Sequence, residues 1–299
     1  MDRPFPAVLD VPVAGGSLRV GLAGPERGAP VVLAVHGITA SHRSWSAVAR
    51  HLGQDVTFLA PDLRGRGASS GLPPPYGCAA HLDDLLAVLD YAGAIRVVLA
   101  GHSMGAWVVA RLAAAHPDRA AAVVLVDGGL PLSAPVGVDP DSLLAAVLGP
   151  ALARLQMTFP TVDAYRDFWR AHPAFGPAAW SPDIEDFVDY DLVPAVSGPR
   201  RSRVSEEAVR VDGRDMLDVD AARAALLSLA CPTLVVRAPR GILDEPRPLL
   251  PDEALAAARA GLPHLAGLDV PDTNHYLLVM RDREAGVVAG EILALATAG

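Results

Sequence analysis

Two hydrophobic patterns alternate along most of this chain. Short runs of consecutive apolar residues, typical of strands buried on both faces of a sheet, alternate with segments whose apolar residues have helical spacing. This alternation predicts βαβ units and a mostly parallel sheet flanked by helices. The apolar runs cover residues 31–35, 56–60, 96–100, 122–126, 233–236 and 267–270, and the helical segments cover 45–52, 76–91, 106–115, 251–260 and 284–296.

Two further β-type runs precede this series, at residues 8–13 and 18–23. They are joined by Ala14-Gly15-Gly16-Ser17, whose paired glycines are typical of a hairpin turn. We therefore expect an antiparallel edge, which brings the predicted sheet to eight strands.

The alternation stops between residues 130 and 229, where no convincing strand appears. Helical spacing predicts helices at 142–156, 162–171, 184–192 and 216–229. We interpret 130–229 as a helical cap inserted into a core domain made of 1–129 and 230–299. The cap holds many of the chain's few aromatic residues, which either pack it onto the core or line an apolar pocket. These residues are Tyr165, Phe168, Trp169, Phe175, Trp180, Phe187 and Tyr190.

Length and composition fit this picture. A chain of 299 residues with 51% hydrophobic content suits one large α/β domain with an insertion. The net charge of −9, without any run of Lys or Arg, argues against nucleic-acid binding.

Cys78 and Cys231 predict buried free thiols rather than a disulfide. Neither a signal peptide nor a membrane-spanning run is recognisable, so we expect a cytoplasmic protein without membrane contact. The oligomeric state stays open, with a homodimer as one option.

The pentapeptide GHSMG, residues 101–105, connects a predicted strand to a predicted helix. G-x-S-x-G in that context is the nucleophile elbow, a strained turn that exposes its serine. Gly101 and Gly105 avoid clashes where strand and helix cross. Ser103 is therefore the candidate nucleophile, and the N–H of Met104 is a candidate oxyanion donor.

A serine nucleophile needs a base, which follows the last strand when the chain order is serine, acid, histidine. His275 lies in that loop, whereas His264 precedes the strand and belongs to the opposite end of the sheet. The second oxyanion donor is expected from the loop after residues 31–35. There Gly37 permits a close approach of the backbone, and the N–H of Ile38 is the natural donor.

The combined motifs resemble the α/β-hydrolase family. They are HGIT at 36–39, PDLRGRGAS at 61–69, GHSMG at 101–105, VLVD at 124–127, CPTLVV at 231–236 and TNHY at 273–276. Only the segment 130–229 has no matching motif, and in this family a variable helical cap occupies that position.

The position of the acidic residue that would orient His275 departs from the family pattern. The family usually places an aspartate a few residues beyond the strand that corresponds to 233–236, but that position falls near Gly241. Asp244 comes slightly later and is one candidate. Some members carry the acid after the preceding strand, where this chain has Asp127, although an aspartate there could also simply cap the turn. We favour Asp127, with Asp244 as the alternative.

The resemblance implies a serine hydrolase that cleaves an ester or lactone bond of an apolar small molecule through a triad and an acyl-enzyme. A serine nucleophile argues against the epoxide-hydrolase and haloalkane-dehalogenase branches. Three alternatives stay open: a C–C bond hydrolase of a β-diketone-type substrate, a cofactor-free perhydrolase or haloperoxidase, and a non-catalytic small-molecule receptor. The sequence has no phosphate loop, dinucleotide fingerprint or metal-ligand cluster, so we expect neither cofactor nor metal.

Overall fold

The fold is known from a computed structural model, which describes residues 4–131, 137–193 and 198–298. Residues 132–136 and 194–197 of the predicted cap therefore lie outside the described residues, as do 1–3 and 299. The strands are β1 (Ala7–Val13), β2 (Gly16–Ala23), β3 (Val31–Val35), β4 (Thr57–Pro61), β5 (Val97–His102), β6 (Ala120–Val126), β7 (Thr233–Arg237) and β8 (Leu265–Asp269).

These eight strands form one sheet in the order β1-β2-β4-β3-β5-β6-β7-β8. The strands β1 and β2 pair antiparallel, and β2 pairs antiparallel with β4, while all other pairs are parallel. Val13 pairs with Gly16, so the hairpin turn has two residues. The predicted eight-stranded, mostly parallel sheet is confirmed.

The helices cover both faces of the sheet. They are α1 (Ser46–Leu52), α2 (Cys78–Tyr91), α3 (Met104–Ala115), α4 (Pro140–Leu148), α5 (Pro150–Ala153), α6 (Val162–Arg170), α7 (Gly176–Ala179), α8 (Pro182–Asp191), α9 (Glu206–Met216), α10 (Val219–Leu227), α11 (Asp252–Gly261), α12 (Leu277–Met280) and α13 (Asp282–Thr297).

Strand β3 shows why its sequence is apolar without interruption. Val32 and Ala34 belong to the core shared with α1 and α13, whereas Leu33 and Val35 belong to the core shared with α2 and α3. Successive side chains of a strand point to opposite faces, and here both faces are covered by helices.

The segment between β6 and β7 contains α4 to α10, hereafter the helical insertion. Two details of its prediction are wrong. The helix expected at 142–156 is interrupted at Gly149, which has φ 48°, and a new helix begins at Pro150. The helix expected at 216–229 begins only at Val219, because Met216 ends α9. The prediction missed α9 because its sequence, EEAVRVDGRDM, is mostly polar.

Candidate active site

Ser103 occupies the sharp turn between β5 and α3. Its backbone has φ 56° and ψ −124°, a region that costs a non-glycine residue about 1–3 kcal/mol. A Cβ on Gly101 would lie 2.2 Å from the carbonyl oxygen of Gly105, and one on Gly105 would lie 2.1 Å from that of Val35. Both glycines are therefore required by the close crossing of backbone segments, as the sequence indicated.

His275 and Asp127 form a buried pair beside this turn. His275 Nδ1 lies 2.8 Å from Asp127 Oδ2, and the two residues are 3% and 0% exposed. A carboxylate oxygen only accepts, so Nδ1 carries the hydrogen and Nε2 is left free to act as a base.

The backbone around Asp127 fixes its carboxylate. Asp127 follows β6 with φ 44°, its N–H donates to the Val236 carbonyl at 2.8 Å, and its Oδ1 accepts the Ala238 N–H at 3.2 Å. The turn also touches the elbow, because the Ser103 N–H donates to the Val126 carbonyl at 2.9 Å. Among the described residues no hydrogen bond joins Ser103 Oγ to His275 Nε2, a bond that hydrolases often complete only with substrate bound.

Asp244, the alternative acid, has other partners. Its carboxylate accepts from Arg240 Nε at 2.7 Å and from Asn274 Nδ2 at 3.0 Å, and Arg240 holds its pKa below the usual value. It lines a separate cleft of about 460 Å³ between α7 and the loops that follow β7 and β8. The fold therefore brings Asp127, rather than Asp244, to the His275 imidazole.

The loop after β3 places a peptide against Ser103. A Cβ on Gly37 would lie 3.2 Å from Ser103 Cβ. The Gly37 carbonyl accepts the Ala40 N–H at 3.1 Å and faces His36 Nδ1 at 2.8 Å. Because the C=O and N–H of a trans peptide point in opposite directions, the N–H of Ile38 points away from these partners.

His36 is held in one tautomer. Its Nε2 accepts the Leu63 N–H at 3.0 Å, so the hydrogen is on Nδ1 and is donated to the Gly37 carbonyl. Burial lowers the pKa of His36 to about 4, which keeps the ring neutral at physiological pH.

The helical insertion contributes most of an aromatic cluster that lies beside His275. The rings of Phe175 and Phe187 lie 5.5 and 5.8 Å from that of Trp169, and Tyr276 joins this cluster to His275, with ring centroids 5.6 Å apart. Burial raises the pKa of Tyr276 to about 12, so this hydroxyl stays neutral. Of the seven aromatic residues singled out in the sequence, Tyr165, Trp169, Phe175 and Phe187 are buried.

Several buried charged residues make pairings for which the sequence gave no signal. Asp62 accepts from His42 Nδ1 at 2.8 Å and from the Tyr190 hydroxyl at 2.6 Å. Arg66 and Arg154 are 0% exposed and pair with Asp212 and Asp191. These pairs join residues far apart in the chain, and no local motif could indicate them.

The expectation of two buried thiols is wrong for one cysteine. Cys231 is buried, but Cys78 at the start of α2 is only half-buried, and both are free. Burial raises the pKa of both thiols, which disfavours the reactive thiolate.

In the described part of the chain, no three side chains of His, Cys, Asp or Glu gather as metal ligands. A membrane-spanning segment would need a longer and more apolar helix than any in the described ranges.

Comparison with known families agrees with this architecture. The family model described as the alpha/beta hydrolase fold matches residues 30–281, which include every strand from β3 onward. The chain belongs to the α/β-hydrolase fold family.

Individual relatives match smaller parts of the chain. Lipase LipV of Mycobacterium tuberculosis is 40% identical over 141 residues, 46% of this chain and 52% of the lipase. A putative carbamate hydrolase, RutD of Klebsiella pneumoniae, is 36% identical over 110 residues, 36% of this chain and 41% of RutD. The chain thus spans about half the length of the curated relatives it matches.

Solved structures match nearly the whole chain. The crystal structure of E-2-(acetamidomethylene)succinate hydrolase superposes with a TM-score of 0.78, over 96% of this chain and 99% of that chain. The two sequences are 22% identical, so this likeness shows the shared fold.

Proposed function

We propose that the protein is a serine hydrolase that cleaves ester or lactone bonds of apolar small molecules. The observation that carries this proposal is the 2.8 Å contact between His275 Nδ1 and Asp127 Oδ2, beside a serine in a strained turn. Relatives named lipase and carbamate hydrolase support hydrolysis of an acyl bond.

In the proposed first step, Ser103 Oγ attacks the carbonyl carbon of the substrate and passes its proton to His275 Nε2. The π electrons move onto the carbonyl oxygen, and Asp127 stabilises the imidazolium. The imidazolium then gives its proton to the leaving alkoxide, which leaves an acyl-enzyme. Water repeats the sequence and releases the acid.

The developing oxyanion requires two convergent donors. The Met104 N–H is suited to this role because Met104 begins α3, where backbone donors have no intrahelical partner and the helix dipole favours negative charge. The Ile38 N–H is suited because its peptide lies against Ser103 and its carbonyl side is turned toward His36.

We further propose that residues 130–229 act as a cap and that their aromatic cluster selects the substrate. The ring of Tyr276 contacts that of His275, and the rings of Trp169 and Phe175 contact that of Tyr276. Ile38 and Met104 add apolar side chains. These side chains are at most 7% exposed. They make the surroundings of His275 apolar rather than lining an open cavity, and apolar surroundings favour an apolar acyl or alcohol group.

A direct test is labelling with a fluorophosphonate, which reacts with activated serines. We expect one adduct, mapped by mass spectrometry to Ser103, and hydrolysis of p-nitrophenyl esters that varies with acyl length. Ser103→Ala should lose both, while Ser228→Ala, which changes an exposed serine at the end of α10, should lose neither. Absence of labelling together with absence of turnover of esters and lactones would overturn the proposal and favour a non-catalytic receptor.

A further inference from the structure

Two consecutive carbonyl groups of the loop after β3 are each held by a buried arginine. The Ile38 carbonyl accepts from Arg66 Nε at 2.9 Å, and the Thr39 carbonyl accepts from Arg154 Nη2 at 2.8 Å. Both arginines are 0% exposed. Buried arginines need compensating charge, which raises the question of which carboxylates supply it.

Asp212, from α9 of the helical insertion, pairs with Arg66. Its Oδ2 contacts Arg66 Nη1 and His81 Nε2, the latter at 3.0 Å, and its Oδ1 accepts the Gly77 N–H at 2.8 Å. Burial alone would raise the pKa of Asp212, but Arg66 and His81 lower it to about 2, so the carboxylate stays ionised.

Asp191, the last residue of α8 in the same insertion, pairs with Arg154. Its Oδ2 lies 3.2 Å from Arg154 Nη2 and also accepts from the Ser202 hydroxyl at 2.8 Å. The guanidinium stacks on Trp169 at 4.9 Å from the ring centre. The insertion therefore fixes Arg154 through charge, hydrogen bonds and an aromatic face.

Given the serine-hydrolase function proposed above, we propose that the helical insertion aligns the oxyanion donor through these two ion pairs. Arg66 and Arg154 are positioning residues, held by Asp212 and Asp191 against the carbonyls of Ile38 and Thr39. They touch neither the substrate nor the reacting atoms.

The ion pairs act on the N–H of Ile38 through the peptides on either side of this residue. The peptide before Ile38 is fixed by the contacts of the Gly37 carbonyl with His36 and Ala40, and the peptide after it is fixed by Arg66. With both peptides held, and with the next carbonyl, that of Thr39, held by Arg154, the Ile38 N–H keeps one orientation in a loop that lies against Ser103. The insertion thereby supports transition-state stabilisation in addition to covering the site.

The test uses Arg66→Lys and Arg154→Lys. Lysine keeps the charge but loses the planar fork that joins a carboxylate and a carbonyl at once. The matched control is Arg166→Lys on α6, because Arg166 pairs with Asp189 inside the insertion and does not contact the loop after β3. Loss of an entire oxyanion donor costs about 10²–10³-fold in kcat, so for misalignment we expect about 10- to 100-fold, with KM changing less than about threefold.

A second measurement isolates the oxyanion. An alkyl trifluoromethyl ketone adds to Ser103 Oγ, whose proton passes to His275 while the ketone oxygen takes the electron pair as a hemiketal anion. The matched secondary alcohol binds without forming that anion. We expect both lysine variants to bind the ketone about 10- to 100-fold more weakly and the alcohol as wild type does. The binding of both ligands can be followed by ¹⁹F NMR, which does not depend on turnover.

The outcomes separate this inference from the function on which it rests. Ketone affinity and kcat equal to those of Arg166→Lys would overturn the positioning roles, as would equal losses for ketone and alcohol. A wild-type protein that forms no hemiketal would overturn both proposals. If a lysine variant does not fold, the charge-balanced pairs Arg66→Met with Asp212→Asn and Arg154→Met with Asp191→Asn replace it in the same comparison.

Discussion

The imidazole of His102 donates its Nε2 hydrogen to the backbone carbonyl of His275 over 2.9 Å, and the two rings lie 4.5 Å apart. A carbonyl oxygen only accepts, so this bond fixes the tautomer of His102. Burial and the neighbouring His275 lower the pKa of His102 well below its ordinary value, so the ring stays neutral. The residue before the candidate nucleophile thus holds the backbone of the candidate base.

Removing this bond should slow catalysis. In His102→Leu the carbonyl of His275 loses its donor, and a lost hydrogen bond of about 1 kcal/mol corresponds to about a fivefold lower kcat. His102→Gln keeps an N–H donor and should retain more of the activity. Steady-state kinetics on a p-nitrophenyl ester, with melting temperatures for both variants, measures this effect. Equal kcat for His102→Leu and wild type would contradict the role of His102 in holding the backbone of His275.

The acid is tested by two matched substitutions. Asp127→Asn should lower kcat by about 10³- to 10⁴-fold, because an amide leaves His275 in the wrong tautomer for the base. Asp244→Asn should keep kcat within about threefold, since Asp244 contacts Arg240 and Asn274 rather than the imidazole. Kinetics on both purified variants gives the answer, and the reverse order of effects would reassign the acid to Asp244.

Stability should fall as the pH decreases from 6.5 toward 4. Burial lowers the pKa of His36 and of His172 to about 4, so between these pH values the unfolded chain binds protons that the folded chain does not. Above pH 6.5 neither the folded nor the unfolded chain binds these protons, so the difference in proton binding between the two states disappears. For a fully buried histidine the complete effect is about 3 kcal/mol.

Urea denaturation at pH 7.5, 6 and 5 measures this dependence. His172→Phe serves as the comparison, because phenylalanine does not titrate and matches the aromatic surroundings of Trp169 and Tyr276. The variant should lose less stability than wild type over this range. Parallel curves for the two proteins would show that His172 does not contribute.

The glycine that follows Asp127 is tested against a glycine that has space. Gly128→Ala should disrupt the site, since a Cβ there would lie 2.3 Å from the Ser103 carbonyl oxygen, which is backbone and cannot move away cheaply. Gly290→Ala, on the exposed side of α13 with no atom within 4 Å, should stabilise the protein by about 0.5–1 kcal/mol. Melting temperatures and fluorophosphonate labelling report both effects, and normal labelling of Gly128→Ala would show that the turn tolerates a side chain.

The fold was predictable because its signals are local. Each central strand contains a continuous apolar run, since both faces of the sheet are covered, and the apolar run of β3 coincides with the observed strand Val31–Val35. Helix α9 escaped prediction because its mostly polar sequence depends on tertiary contacts. One of these contacts is made by Asp212, which pairs with Arg66 outside the insertion.

The sequence by itself determined the sheet, the elbow at Ser103 and the late position of His275, because each depends on neighbouring residues or chain order. The tertiary structure decided which carboxylate meets His275, since Asp127 and Asp244 follow adjacent strands and only their turns direct them differently. It also decided that Arg66 and Arg154 hold the loop at Ile38. Such pairs depend on distances between residues far apart in the chain, which no local pattern encodes.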